Sequence, residues 1–193
     1  MDKLSIYLIN LKDKKVDEII RHYQEFIKVD DIKKMNKYKY DLRKMQFITS
    51  TALKNKYIKD DIYYNEHGKP LSKNIYFNIS HSHNLVAFII SDKYEVGIDV
   101  ELIRDNVKDE LINYVCNDEE IKEIKKDKNK FFYYWTRKEA VLKCSGEGLN
   151  KELKNVLDSH DYYLYSDYIN DYVYSVAVNT KNKINISILW DYE

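Results

Sequence analysis

The chain has 193 residues, 44% apolar and 33% charged, a balance that suits a soluble protein with one large domain or two small ones sharing a core, and not a disordered or membrane chain. Its 32 Lys and Arg offset 32 Asp and Glu, so no net field favours nucleic acid or an anionic membrane, and any anion selectivity must be local. The longest apolar run, Leu85 to Ile90, is far below the roughly 20 residues of a membrane helix. The start Met1-Asp2-Lys3-Leu4 lacks the basic region, apolar stretch and cleavage site of a signal peptide, so the expected location is the cytoplasm.

Lys3 to Leu11 alternates apolar and polar residues, which predicts a first strand. Val16, Ile19, Ile20, Tyr23 and Ile27 recur at helical spacing. Asp30-Asp31 offers a cap for a second helix, and Leu42 to Ile58 continues as a third, with Arg43, Lys44, Lys54 and Lys56 near its ends. A basic helix face of this kind is more often solvated surface than an anion site. Asn65-Glu66-His67-Gly68-Lys69-Pro70 is turn chemistry. Three strands follow, at Ile75–Ser80, Leu85–Ser91 and Val96–Leu102, and their short connections predict an antiparallel meander.

Asn117 followed by Glu120 has the capping-box spacing and predicts a helix running to about Lys126. Phe131 to Cys144 is the strongest helix in the chain, ended by Gly146 and Gly148. Strands are expected at Tyr162–Tyr165, Tyr172–Val178 and Ile184–Trp190, with Asn179 to Lys183 as a hairpin turn. Each half thus runs from helical material into antiparallel strands. That echo suggests two similar α+β halves, residues 1–98 and 99–193, with a site at their seam.

Chemistry concentrates between Val96 and Gly148, which hold three of the four glycines. On a strand, Asp99 and Glu101 share a face. On a helix, Trp135, Glu139 and Lys143 share a stripe. If the stripe faces the strand, three carboxylates converge, a cluster that repels itself unless a cation neutralises it; hard oxygen ligands favour magnesium or manganese. The alternative is ordinary: two acids on the solvent side of an edge strand and a surface Glu–Lys pair. His81 and His83 have no third His or Cys near them to make a zinc site. Cys116 and Cys144 lack a partner spacing and read as reduced thiols.

Taken together, these stretches resemble the phosphopantetheinyl transferases, specifically the two-lobed monomeric type named for the surfactin-synthetase activator. That family carries a Gly-Ile-Asp-(Val/Ile)-Glu strand and a Trp-(Ser/Thr)-x-Lys-Glu-(Ala/Ser)-x-x-Lys-x-x-Gly-x-Gly helix and loop. Here the counterparts are Gly97–Glu101 and Trp135–Gly148 without a gap, preceded by Gly68-Lys69-Pro70 and Phe77-Asn78-Ile79-Ser80-His81-Ser82.

The resemblance implies a fold of two pseudo-twofold α+β subdomains. It implies magnesium-dependent transfer of the 4'-phosphopantetheine arm of coenzyme A to a serine of an apo acyl or peptidyl carrier protein. On that reading Asp99, Glu101 and Glu139 hold the metal, and Glu139 or a metal-bound water is the base. Lys143 steadies the pyrophosphate, with Lys138 a weaker candidate. Ser80 and His81 meet the phosphates of coenzyme A, Lys69 its adenine-ribose end, and Arg43 or Lys44 its 3'-phosphate. A module that binds coenzyme A or a carrier without chemistry is the alternative. Leu111, Ile112, Tyr114 and Val115 are candidates both for carrier docking and for core.

Overall fold

The computed structural model describes residues 3–148 and 153–192. Among the described residues, nine strands and six α-helices run in the order β1 (Lys3–Asn10), α1 (Val16–His22), α2 (Val29–Met35), α3 (Asp41–Tyr57), β2 (Tyr63–Tyr64), β3 (Pro70–Leu71), β4 (Tyr76–Ser82), β5 (Leu85–Ser91), β6 (Val96–Leu102), α4 (Asp109–Val115), α5 (Asp118–Ile124), α6 (Lys130–Ser145), β7 (Tyr163–Ile169), β8 (Tyr172–Val178) and β9 (Asn185–Tyr192). The α+β class expected from the sequence is the class observed.

Two sheets face each other, one ordered β4-β5-β1-β9 and the other β6-β8-β7. Strand periodicity explains the layering. Leu4, Ile6 and Leu8 of β1 and Leu85, Ala87 and Ile89 of β5 point inward, where they meet Ile98 and Val100 of β6 and Tyr174, Val176 and Val178 of β8. The intervening residues Ile9, Val86 and Phe88 point outward under Ile19 of α1 and Met45, Ile48 and Leu53 of α3. Val173 and Ala177 of β8 point outward under Phe131, Ala140 and Val141 of α6. Because β5 is covered on both faces, it reads as an unbroken apolar run.

Two connections differ from the sequence expectation. β6 does not complete a meander with β4 and β5: it leaves their sheet and pairs antiparallel with β8. The segment 179–184 is not a hairpin turn. It returns the chain to the first sheet, where β9 pairs parallel with β1. Both crossings have one cause, since a strand's apolar pattern specifies which face is buried but not which edge it joins.

Helix boundaries follow the local chemistry. The Asn117 side chain accepts from the Glu119 and Glu120 N–H groups while Glu120 accepts from the Asn117 N–H, so the predicted capping box opens α5. At the start of α2 the cap is instead Asp31, whose carboxylate accepts from the Lys28 N–H. Gly146 ends α6 at φ +74°, the left-handed turn that a residue without Cβ adopts without strain.

Candidate functional site at the junction of the sheets

The alternation of β6 places Val96, Ile98 and Val100 in the core and turns Gly97, Asp99 and Glu101 toward α6. Gly97 permits this contact. A Cβ there would overlap the Ala140 carbonyl oxygen and lie 2.5 Å from the Cys144 backbone nitrogen, so the glycine marks close backbone approach and not a strand kink. With the helix seated this low, the Trp135–Glu139–Lys143 stripe faces the two strand acids, an orientation the helical spacing alone left open.

Asp99, Glu101, Trp135, Glu139 and Lys143 line one open cleft of about 700 Å³, together with Arg43, Gln46, Ser80 and His81. A second cavity of about 250 Å³ shares Glu139 and Lys143 with the first and continues to Lys69, Pro70, Gly146 and Gly148. The Glu139–Lys143 turn of α6 therefore stands where the two spaces meet.

The ammonium of Lys143 donates to Asp99 Oδ1 at 2.6 Å and to Ser80 Oγ at 3.0 Å. Ser80 Oγ in turn donates to Asp99 Oδ1 at 2.9 Å. Among the described residues, Asp99 Oδ2 and Glu139 Oε1 find no hydrogen-bond partner, and both atoms are buried. Burial, then the Asp99 charge, pushes the Glu139 carboxyl above its usual range, with Lys143 pulling the other way and Glu101 adding to the rise. Glu101 is raised by the same two leading causes, while Ser82 and Arg104 oppose them.

Among the described residues, no three His, Cys, Asp or Glu side chains stand grouped so as to hold a metal as placed. The donor set nevertheless fits a hard divalent cation. Two orphaned carboxylate oxygens and two carboxyls held above their usual range mark uncompensated negative charge, which a cation with oxygen ligands relieves.

The other candidate residues separate. Arg43 faces the cleft and donates to the Gln46 side chain at 3.0 Å. Lys44 lies on a different groove, beside Lys14 and Met35, and pairs with Asp41. Of the two basic residues left open by the sequence, Arg43 alone reaches this space. Lys69 walls the second cavity, with its ammonium donating to the Cys144 carbonyl at 2.5 Å. There it complements the negative end of α6.

Lys138 requires a correction. It faces away from the cleft, is fully buried, and donates to Glu120 Oε2 at 2.6 Å, the Val115 carbonyl at 2.9 Å and the Lys154 carbonyl at 3.1 Å. One residue before Glu139 is about 100° around the helix, so the two side chains serve opposite surroundings. Of the two histidines, His81 lines the cleft, whereas His83 sits in the β4–β5 turn at φ +46°.

Sequence reading missed the contacts that join the sheets. Among the described residues, β4 and β6 form no main-chain ladder; side chains of β4 take its place. Asn78 Oδ1, Ser80 Oγ and Ser82 Oγ accept from the N–H groups of Ile98, Val100 and Leu102 at 3.1, 3.3 and 3.1 Å. The signal was the alternation in Asn78-Ile79-Ser80-His81-Ser82, in which Asn78, Ser80 and Ser82 share one strand face.

Geometry of this kind defines a class, the α+β proteins that gather acids and cations at a cleft where two sheets meet. Comparison with known proteins narrows it: residues 95–175, which contain Asp99, Glu101, Glu139 and Lys143, match the model described as the 4'-phosphopantetheinyl transferase superfamily. The chain is 38% identical over 96 residues to the 4'-phosphopantetheinyl transferase AcpT of Salmonella typhi, covering 45% of this chain and 50% of that protein. It is 33% identical over 100 residues to the 4'-phosphopantetheinyl transferase HetI of Nostoc, covering 46% and 42%. It is 32% identical over 103 residues to the L-aminoadipate-semialdehyde dehydrogenase-phosphopantetheinyl transferase of Candida glabrata, covering 46% and 40%. The matched region is at most about half the length of these relatives. Among the described residues, no helix is long and apolar enough to cross a membrane.

Proposed function

We propose that the protein transfers 4'-phosphopantetheine from coenzyme A to a serine hydroxyl of an apo acyl or peptidyl carrier protein, as a two-lobed cytoplasmic monomer of the surfactin-synthetase-activator type. The observation that carries this reading is the convergence of Asp99, Glu101, Glu139 and Lys143 on one cleft, with two buried carboxylate oxygens left unpartnered, inside the stretch that matches the superfamily.

Asp99, Glu101 and Glu139 would hold magnesium, or manganese in its place. Such an ion would offset negative charge on the pyrophosphate of coenzyme A. The carrier serine oxygen forms a bond to the β-phosphorus, and the bond from that phosphorus to the bridging oxygen breaks. Adenosine 3',5'-bisphosphate leaves with the electron pair. Glu139, on the cleft beside Lys143, takes the serine proton. Lys143 places positive charge beside the phosphoryl oxygens. Arg43 and His81 bind phosphates at the far side of the cleft, and Lys69 and Pro70 wall the cavity that takes the adenine-ribose end.

The test is the intact mass of an apo carrier protein after incubation with the enzyme, coenzyme A and magnesium, beside a chelated control. A metal-dependent gain of one phosphopantetheine supports the reading. No gain with fatty-acid, polyketide and peptide-synthetase carriers, while coenzyme A still binds, would make this a binding module.

A further inference from the structure

Ser82, the last residue of β4, has no role in the reaction just described, yet its hydroxyl is fully committed. It accepts from the Leu102 N–H at 3.1 Å and donates to Glu101 Oε2 at 2.9 Å. Ser80 repeats the arrangement two residues earlier, accepting from the Val100 N–H and donating to Asp99 Oδ1. In both cases the backbone N–H that holds the serine belongs to the residue after the acid. A serine hydroxyl has one hydrogen to give. With the N–H fixing its oxygen, that hydrogen is aimed at the neighbouring carboxylate.

Glu101 needs such a guide more than Asp99 does. Asp99 is short, 6% exposed, and already held by Lys143. Glu101 has an additional rotatable bond, is 25% exposed, and faces a competitor in Arg104, whose guanidinium is 4.0 Å away and 59% exposed. Released from Ser82, Glu101 gains rotamer freedom and an outward partner in solvent. We infer that Ser82 is a positioning residue, which holds Glu101 inward beside Asp99 and Glu139 and so completes a divalent-cation site that Arg104 would otherwise deplete. This rests on the metal-binding role proposed above for the three acids.

The experiment is a manganese titration of the full chain without coenzyme A, reading free ion by its electron paramagnetic resonance signal. Wild type should bind with an affinity that Glu101→Gln weakens. Ser82→Ala should weaken it about tenfold, the lower range for a group that orients a metal ligand, and Ser82→Thr, which keeps the hydroxyl, should restore it. Ser82→Cys keeps the volume with a weaker donor and should fall between, which covers an alanine variant that does not fold. Asn78→Ala removes the same kind of β4–β6 contact without touching an acid. It should lower the melting temperature and leave manganese affinity unchanged. Wild-type affinity in both Ser82→Ala and Ser82→Cys, with Glu101→Gln still weakened, overturns the role of Ser82 and leaves the metal assignment standing. Glu101→Gln binding as tightly as wild type overturns both.

Discussion

Lys138 and Glu120 meet at 2.6 Å with side-chain exposures of 0% and 7%, an ion pair shut off from solvent on the lysine side. The ammonium joins α6 to the end of α4, to α5 and to the segment at Lys154. Removing one partner of a buried pair costs about 3–5 kcal/mol because it strands the other charge. Lys138→Met should therefore lower stability by about that much in urea unfolding. Adding Glu120→Gln should recover part of it, since the amide oxygen can keep the bond to the Asn117 N–H and the buried charge is gone. Equal stability of the single and double variants would contradict this.

Gly97 and Gly68 allow a matched comparison. At Gly97 an added methyl group meets helix backbone, which cannot move away without lifting α6 from β6. Gly97→Ala should destabilise by at least about 2 kcal/mol, in the upper range for overpacking, and should reduce activity, because Glu139 moves with the helix. At Gly68 an added Cβ would meet no atom of another described residue beyond its chain neighbours within 4 Å, and the residue is at φ +80°. Gly68→Ala should cost only the left-handed backbone penalty of about 1–2 kcal/mol. Thermal melts of the two variants, read beside transfer rates, separate steric from conformational cost.

Asp191 fastens β9 to the helical layer. Its carboxylate accepts from Lys56 Nζ at 2.6 Å and from the hydroxyls of Tyr23 at 2.8 Å and Tyr57 at 3.3 Å, and the aspartate side chain is only 7% exposed. Bonds to a charged acceptor contribute about 1.5–3 kcal/mol each. Asp191→Ala should lower stability by about 3 kcal/mol or more while leaving the affinity for coenzyme A unchanged in the folded fraction. A melt indistinguishable from wild type would show that the cluster contributes nothing.

Helix α4 exposes Leu111 at 41% and Tyr114 at 68%, whereas Val115 is buried and Ile112 packs on the α6 core. The stretch read as either carrier dock or core is therefore divided, with two residues packed inward and two exposed. Leu111 also borders the groove that contains Arg104 and Phe132, next to the acid cluster. Leu111→Asp should raise the KM for the carrier about tenfold, the loss of one central apolar contact, with the KM for coenzyme A unchanged. A rise in both, or in neither, removes this face as the dock.

Local patterns were legible and long-range pairings were not. The Asp99–Glu101 spacing and the Trp135–Glu139–Lys143 stripe each specify a shared face by geometry internal to one element, so their convergence needed only one packing event. The Asn117–Glu120 capping box is equally local. Lys138 was misassigned because a motif records residue order, whereas its partner Glu120 lies 18 positions away on another helix. The Ser82–Glu101 bond spans 19 positions and two sheets. Nothing in either segment alone names the other.

The parallel pairing of β9 with β1 has a consequence in time. As the chain is synthesised, β1 and β5 can meet once residue 91 has emerged, but the other edge of β1 stays open until residue 185. Throughout that interval an apolar strand presents free backbone groups, the condition under which nascent chains associate wrongly. The two sheets therefore cannot mature one after the other. Completion of the early sheet waits on the late one, and a chain halted between them would be left with an unprotected edge.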